Sequence, residues 1–260
     1  MPPLTYPRYL QLPELLSLQV PRSDPPEHDE MLFIVIHQVY ELWFKQLLHE
    51  GDKLGRDLQG GDLYGAIATL KRMRTIMKTL VGQLDILETM TPLSFASFRH
   101  RLDTASGFQS TQFRELEFLC GWKRPEFLPP AAGDAAQAAV LRRHREPTLV
   151  DHFYRFLTQR GVVVPEDLLG RDVEQPVEGS EALQAELFQA YTTQPDLVLL
   201  CELMLDFDEG FQEWRYRHVK LVERTIGAKQ GTGGSEGVEF LKRGLFRPLF
   251  PDLWAVRHRM

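Results

Sequence analysis

Apolar residues recur every three and four positions along most of this chain, and strict two-residue alternation is nearly absent. Positions at that spacing share one face of an α-helix, so the pattern restricts the chain to an all-α architecture. In residues 27–50, Phe33, His37, Tyr40, Phe44 and Leu47 form one stripe. Pro25 and Pro26 precede this segment and Gly51 follows it, the usual punctuation of a helix start and stop. A second stripe, from Leu63 through Ile67, Leu70, Met77, Leu80 and Leu84 to Leu87, follows Asp62, a good N-cap, and predicts a helix to about Thr89. Thr91-Pro92 reads as cap and first residue of a short helix reaching about Leu102, with another over roughly 109–121. Residues 122–147 read as an irregular excursion with one small helix, 148–159 as helix, and 160–180 as loop with a possible strand at 162–164. Helices resume at 181–193 and 196–227, and a last one follows Ser235. No repeat or clear linker divides the chain, so residues 1–260 read as a single helical domain.

Composition narrows the function classes. The chain of 260 residues is long enough for a substantial core. Its net charge of -6 argues against a nucleic-acid binder, which carries a basic face. Cys120 and Cys201 stand alone in apolar runs, without the paired spacing of a zinc site or a disulfide framework. The start, MPPLTYPRYL, lacks the basic and apolar regions of a secretion signal. No run approaches the ~18 apolar residues of a membrane span. The expectation is a cytoplasmic protein with reduced thiols and no membrane partner.

The richest segment is FQEWRYRHVKLVERTIGAKQGTGGSEG, residues 211–237. Phe211, Trp214, His218, Leu221 and Thr225 share one face; Glu213, Arg215, Arg217, Lys220, Glu223 and Arg224 fall on the other. A buried imidazole needs a partner for its nitrogens. That partner is either a hydrogen-bonding neighbour or a metal, and haem iron best suits a single His. His37 poses the same choice on the 27–50 helix, and two such histidines could face a cofactor from opposite sides. Glu30, Glu41, His49 and Glu50 lie near His37 in sequence, which raises a carboxylate-bridged di-metal site. That site wants Glu-x-x-His pairs on two helices, and no Glu here has His three residues later. His28, His49, His100, His144, His152 and His258 lie among charges and read as solvated.

Phe95 and Arg99 stand one turn apart, as a surface arginine over a ring or as a clamp for a carboxylate. SGFQS, residues 106–110, is turn-forming, and Ser110 can cap the next helix. GTGGSEG, residues 231–237, follows no strand and lacks the Gly-Lys-Ser/Thr ending of a P-loop. Its glycines let backbone approach a ligand and expose amides and the Thr232 hydroxyl.

HDEMLFIVIHQVYELWFKQLLHE, ILETMTPLSFASFR, SGFQS, and WRYRH followed by GTGGSEG occur in that order. Together they resemble the tryptophan 2,3-dioxygenase family, over a stretch from about Leu4 to beyond Phe240 that is weakest at 122–195. The resemblance implies an all-α bundle enclosing one b-type haem per subunit, in a homotetramer built as a dimer of dimers. It implies L-tryptophan and O2 as substrates and N-formyl-L-kynurenine as product, the first step of the kynurenine pathway. His218 matches the proximal iron ligand and His37 the distal histidine that contacts the indole N–H. Phe33 matches the aromatic packed on the substrate ring, with its neighbours Ile34, Val35 and Ile36 also assigned to the substrate. Arg99 matches the carboxylate clamp, Thr232 the residue near the ammonium, and Ser106 and Gly107 the distal wall. Tyr6 and Tyr9 match a pair in an N-terminal arm, residues 1–20, that packs into a neighbouring subunit.

Some positions depart from that pattern. Phe95 stands where other members carry Tyr, which removes one hydroxyl contact to the carboxylate. Leu84 lies where an aromatic is common, which changes pocket or interface packing. The short arm before Leu4 and the end at Met260 lead to the expectation of a weakened or reshaped tetramer. Three rival readings remain: a relative on the same scaffold that inserts one oxygen atom, a haem carrier or sensor without turnover, and a helical scaffold with no cofactor.

Overall fold

Two helices of 32 residues each organise the molecule, and a third lies between them. The computed structural model describes residues 3–231 and 237–260. In chain order the helices are α1 (Tyr6–Leu10), α2 (Leu12–Leu15), α3 (His28–Gln59), α4 (Leu63–Leu87) and α5 (Pro92–Arg99). There follow a 3₁₀ turn (Gly107–Gln109), α6 (Thr111–Leu119), a second 3₁₀ turn (Pro125–Phe127), α7 (Ala135–Arg145), α8 (Leu149–Gln159) and α9 (Glu166–Leu169). The chain closes with α10 (Glu181–Thr193), α11 (Pro195–Ile226), α12 (Val238–Lys242), α13 (Pro251–Ala255) and a final 3₁₀ turn (Val256–Arg259). Among the described residues there is no strand.

Capping explains several of the boundaries. The Asp62 carboxylate accepts from the Gly65 N–H at 2.9 Å and starts α4. Thr91 Oγ1 accepts from the Ser94 N–H at 3.0 Å and starts α5, with Pro92 at the first helical position. Ser110 Oγ accepts from the Phe113 N–H and starts α6. The whole predicted α4 stripe is buried. It packs against α3 on one side and α11 on the other. Truncating one of its fully buried members, such as Leu70 or Leu80, to alanine costs about 2–5 kcal/mol.

Three sequence expectations are corrected. First, α3 does not stop at Gly51 but continues to Gln59. Gly51 and Gly55 lie one turn apart and let two other helices come close. A Cβ at Gly51 would overlap Leu119 of α6, and one at Gly55 would sit 2.9 Å from the His152 ring of α8. Close packing therefore outweighs the ~1 kcal/mol helix penalty of each glycine. Second, 162–164 forms no strand. Val162 and Val164 are buried and Val163 is 65% exposed, so the alternation is real, but the segment has no strand to pair with. Third, His144 and His152 are buried rather than solvated. His144 Nδ1 lies 3.2 Å from Glu174, and His152 Nδ1 meets the Gln59 amide at 3.0 Å.

Two buried charges tie down the segments around this frame. Lys123 is 1% exposed and its ammonium donates to the carbonyls of Arg143, His144 and Glu146 at 2.7–3.0 Å. It thereby satisfies carbonyls that the end of α7 leaves free and places a cation at the negative end of that helix. Asp208, on α11, accepts from the Leu249 and Phe250 N–H groups and from Trp254 Nε1. That carboxylate fastens the C-terminal segment to the long helix.

Candidate active site

Helices α3, α4, α5, α6 and α11 surround one cavity of about 310 Å³, with walls that are mostly apolar. That is the size and character of a small-molecule site. The predicted stripes converge here because each long helix turns one face inward: Phe33, His37, Tyr40 and Phe44 from α3, and Trp214 and His218 from α11.

The two histidines are held differently. His37 Nδ1 lies 2.7 Å from the carbonyl oxygen of Phe33, one turn back. A carbonyl only accepts, so Nδ1 carries the proton and Nε2 keeps its lone pair in the neutral ring. Burial lowers the pKa of His37 and favours that neutral form. Its ring packs on Phe33, with centroids 4.1 Å apart. His218 stacks flat on Trp214, with centroids 5.1 Å apart and planes within 8°. Among the described residues neither of its nitrogens has a hydrogen-bond partner, although the ring lies in the cavity wall. Burial, and then the proximity of His37, push its pKa down to about 4, so the imidazole is neutral at pH 7.

Phe33 and Phe95 pack at 5.6 Å and line the cavity together with Leu84. Arg99 also lines it, and its Nη2 donates to the carbonyl of Gln230 at 2.6 Å. Ser106 and Gly107 form part of the wall. Ser106 Oγ accepts from the Phe108 N–H, and a Cβ added at Gly107 would face open space among the described residues. Thr232 lies outside the described residues; Gly231 and Gly237, which flank residues 232–236 in sequence, line the cavity.

Not every expected residue reaches the site. Ile34, Val35 and Ile36 do not line the cavity. Each residue turns the helix by about 100°, so positions 34–36 lead away from the face that carries 33 and 37. Ile36 is in the core and Val35 is exposed. Tyr6 and Tyr9 are 72% and 71% exposed on α1 and do not line this subunit's own cavity; the expectation for them concerns a neighbouring subunit's pocket. The carboxylates near His37 in sequence are committed elsewhere: Glu30 accepts from Arg22 and Ser23, Glu50 pairs with Arg72, and Glu41 accepts from Gln112. Among the described residues no three His, Cys, Asp or Glu side chains gather as a metal site.

Sequence reasoning missed a charged cluster in the wall. Arg114 and Arg124 donate to one oxygen of Glu117, and Arg215 lies 3.6 Å from the other. Arg215 had been placed on the polar face of its helix, but only 7% of it is exposed. The Arg215 guanidinium is covered by Trp122 and Phe211, at 4.0 and 4.5 Å from their ring centroids. The available signal was the i, i+3 pair Arg114 and Glu117 inside an otherwise apolar run.

A family model described as tryptophan 2,3-dioxygenase matches residues 1–161 and 177–260. The chain belongs to the tryptophan 2,3-dioxygenase family. A tryptophan 2,3-dioxygenase of Herpetosiphon aurantiacus is 54% identical over 254 residues, covering 98% of this chain and 97% of the relative. One from an Anaeromyxobacter species is 52% identical over 259 residues, covering 98% and 95%. One from Kineococcus radiotolerans is 45% identical over 261 residues, covering 98% and 90%. The stretch outside the family match, 162–176, holds α9 and the unpaired valine segment and contributes nothing to the cavity wall. Every cavity-lining residue described above therefore falls inside the part shared with tryptophan 2,3-dioxygenases.

Proposed function

We propose that this protein cleaves the indole C2–C3 bond of L-tryptophan with O2, retaining both oxygen atoms in N-formyl-L-kynurenine, and that it does so with haem b. The observation that carries the reading is His218: a neutral imidazole in the wall of an apolar cavity, with no hydrogen bond among the described residues. A hydrogen-bonded core histidine would have such a bond. An unengaged lone pair is what an iron ion needs, and with no cluster of further ligands among the described residues, the metal would bring most of its own. A porphyrin does so. The surplus of guanidinium groups in the wall also suits the two carboxylates of haem b. When bound, haem supplies the redox chemistry that activates dioxygen toward the indole ring.

The protein's own groups bind, orient and exclude water. His218 holds the iron. Phe33 and Phe95 pack against the indole. His37 accepts the indole N–H at Nε2, the nitrogen left free by the bond to Phe33, and acts as a positioning group because an indole N–H is a poor acid at neutral pH. Arg99 exchanges its contact with the Gln230 carbonyl for the substrate carboxylate. Thr232 meets the ammonium group, and Ser106 and Gly107 form the wall beside the haem. Charged hydrogen bonds contribute about 1.5–3 kcal/mol each, enough to select an α-amino acid and fix its ring over the reacting centre.

Residues 1–260 act in this reading as one domain of a cytoplasmic homotetramer, a dimer of dimers, with residues 1–20 packed on a neighbouring subunit. The exposure of Leu4, Tyr6, Tyr9, Leu16 and Leu18 supports that arm. No described helix is long and apolar enough to cross a membrane. The test is to give reduced, haem-loaded protein L-tryptophan and ¹⁸O₂ and to weigh the product. N-formyl-L-kynurenine carrying both labelled atoms is expected; a singly oxygenated indole, or no product, would contradict the proposal.

A further inference from the structure

The charges in the cavity wall do not balance. Glu41 is engaged by Gln112, and Arg99 by the Gln230 carbonyl. That leaves, in the wall itself, Arg114, Arg124 and Arg215 around Glu117, three guanidinium groups against one carboxylate; Glu126 and Asp208, which do not line the cavity, also act electrostatically on Arg114 and Arg215. The surplus is two positive charges inside a mostly apolar wall. Burying such charge without partners is strongly unfavourable.

The unmet hydrogen-bonding capacity lies in the same place. Arg215 Nη1 donates to the Arg247 carbonyl at 3.2 Å, but among the described residues the buried Arg215 Nη2 and Arg124 Nε have no hydrogen-bond partner, and the 3.6 Å approach of Arg215 to Glu117 is too long to be one. Burial pushes the Arg215 pKa down to about 10, so the group stays charged at pH 7. Both guanidinium carbons lie 4.0 Å from the centroid of the Trp122 ring, which fixes them before any ligand arrives. Arg114 is set against Phe127 in the same way, at 4.4 Å.

We infer that Arg124 and Arg215, fixed against Trp122 and sharing Glu117 with Arg114, bind the two propionate carboxylates of the cofactor. The inference rests on the haem reading of the cavity. It assigns the surplus charge a purpose: two carboxylates cancel it, and planar guanidinium groups suit carboxylates geometrically. In this arrangement Glu117 orients the arginines toward a dianion and keeps three like charges together when the cavity is empty of it.

The test compares two porphyrins in the full-length protein. Protein reconstituted with haemin or with haemin dimethyl ester, which has no propionate charge, is mixed with excess apomyoglobin. Transfer is followed at the Soret band. The ester is expected to leave at least about tenfold faster than haemin, since each charged hydrogen bond is worth roughly a factor of ten or more. Arg124→Gln, at the less buried arginine, should speed loss of haemin by about that factor and leave loss of the ester unchanged. Equal rates for the two porphyrins in the unmodified protein would overturn the inference while leaving the haem reading intact. That comparison needs no variant, so misfolding of an arginine mutant cannot obscure it. If neither porphyrin is taken up, the haem reading falls and this inference falls with it.

Discussion

His37 and His218 stand on the two longest helices, each on an apolar stripe one turn beyond an aromatic ring. They are nevertheless different chemical objects. His37 is tied by Nδ1 to its own backbone and offers one acceptor, Nε2. His218 lies flat on Trp214 and makes no hydrogen bond among the described residues. The periodicity places both rings inside; the presence or absence of a partner decides what each nitrogen is for. A tethered imidazole has one nitrogen fixed in direction for a single donor, and an untethered one is free to ligate.

Removing each ring should therefore fail in a different way. The largest effect is expected from His218→Ala, which abolishes stable haem binding. A variant with the parent Soret spectrum and haem affinity would refute the ligand assignment. Arg99→Ala comes next: it keeps the haem and lowers kcat/KM for L-tryptophan roughly 10- to 100-fold, the equivalent of one charged hydrogen bond. Steady-state rates equal to the parent's would remove the carboxylate role. His37→Ala should retain the haem spectrum and lose only about tenfold or less in kcat/KM, the value of one neutral hydrogen bond. Loss of haem from that variant would erase the distinction between the two histidines.

The smallest effect concerns a third kind of histidine. His152 packs over Gly55 and bonds Gln59, far from the cavity wall. Burial lowers its pKa below 6.5, and that of His144 likewise, so the folded state binds fewer protons than the unfolded chain as pH falls. Stability is then full above about pH 6.5 and declines below it. His152→Leu should flatten this acid limb by a few °C in Tm at most, measured by thermal melts between about pH 7 and 5. An unchanged slope would mean that the ring titrates alike in both states.

What could be read in the sequence follows the same division. The stripes of α3, α4 and α11 are visible because helical period depends on neighbours in the chain, and the caps at Asp62, Thr91 and Ser110 depend on residues three positions away. Gly51 was misread as a stop because its purpose, room for Leu119, comes from a helix more than sixty residues on. Lys123 and Arg215 look solvated in sequence, since a charge shows its sign but not the carbonyls or rings that meet it across space. Ile34, Val35 and Ile36 adjoin Phe33 in sequence, but the turn of the helix keeps them out of the cavity lining. The motifs that name His37, Arg99 and His218 are local in sequence, and the fold brings all three to one cavity wall. The Arg114–Glu117 pair is local in sequence, but only the fold brings Arg215 of α11 to it.

The most direct test of the account is rescue of His218→Gly. The full-length variant is titrated with haemin, with and without added imidazole, and followed by absorbance. The account predicts almost no specific uptake alone and recovery of a parent-like ferrous and ferric spectrum once imidazole fills the vacated place, a recovery that an unfolded protein cannot show. Parent-like haem binding without imidazole would contradict it.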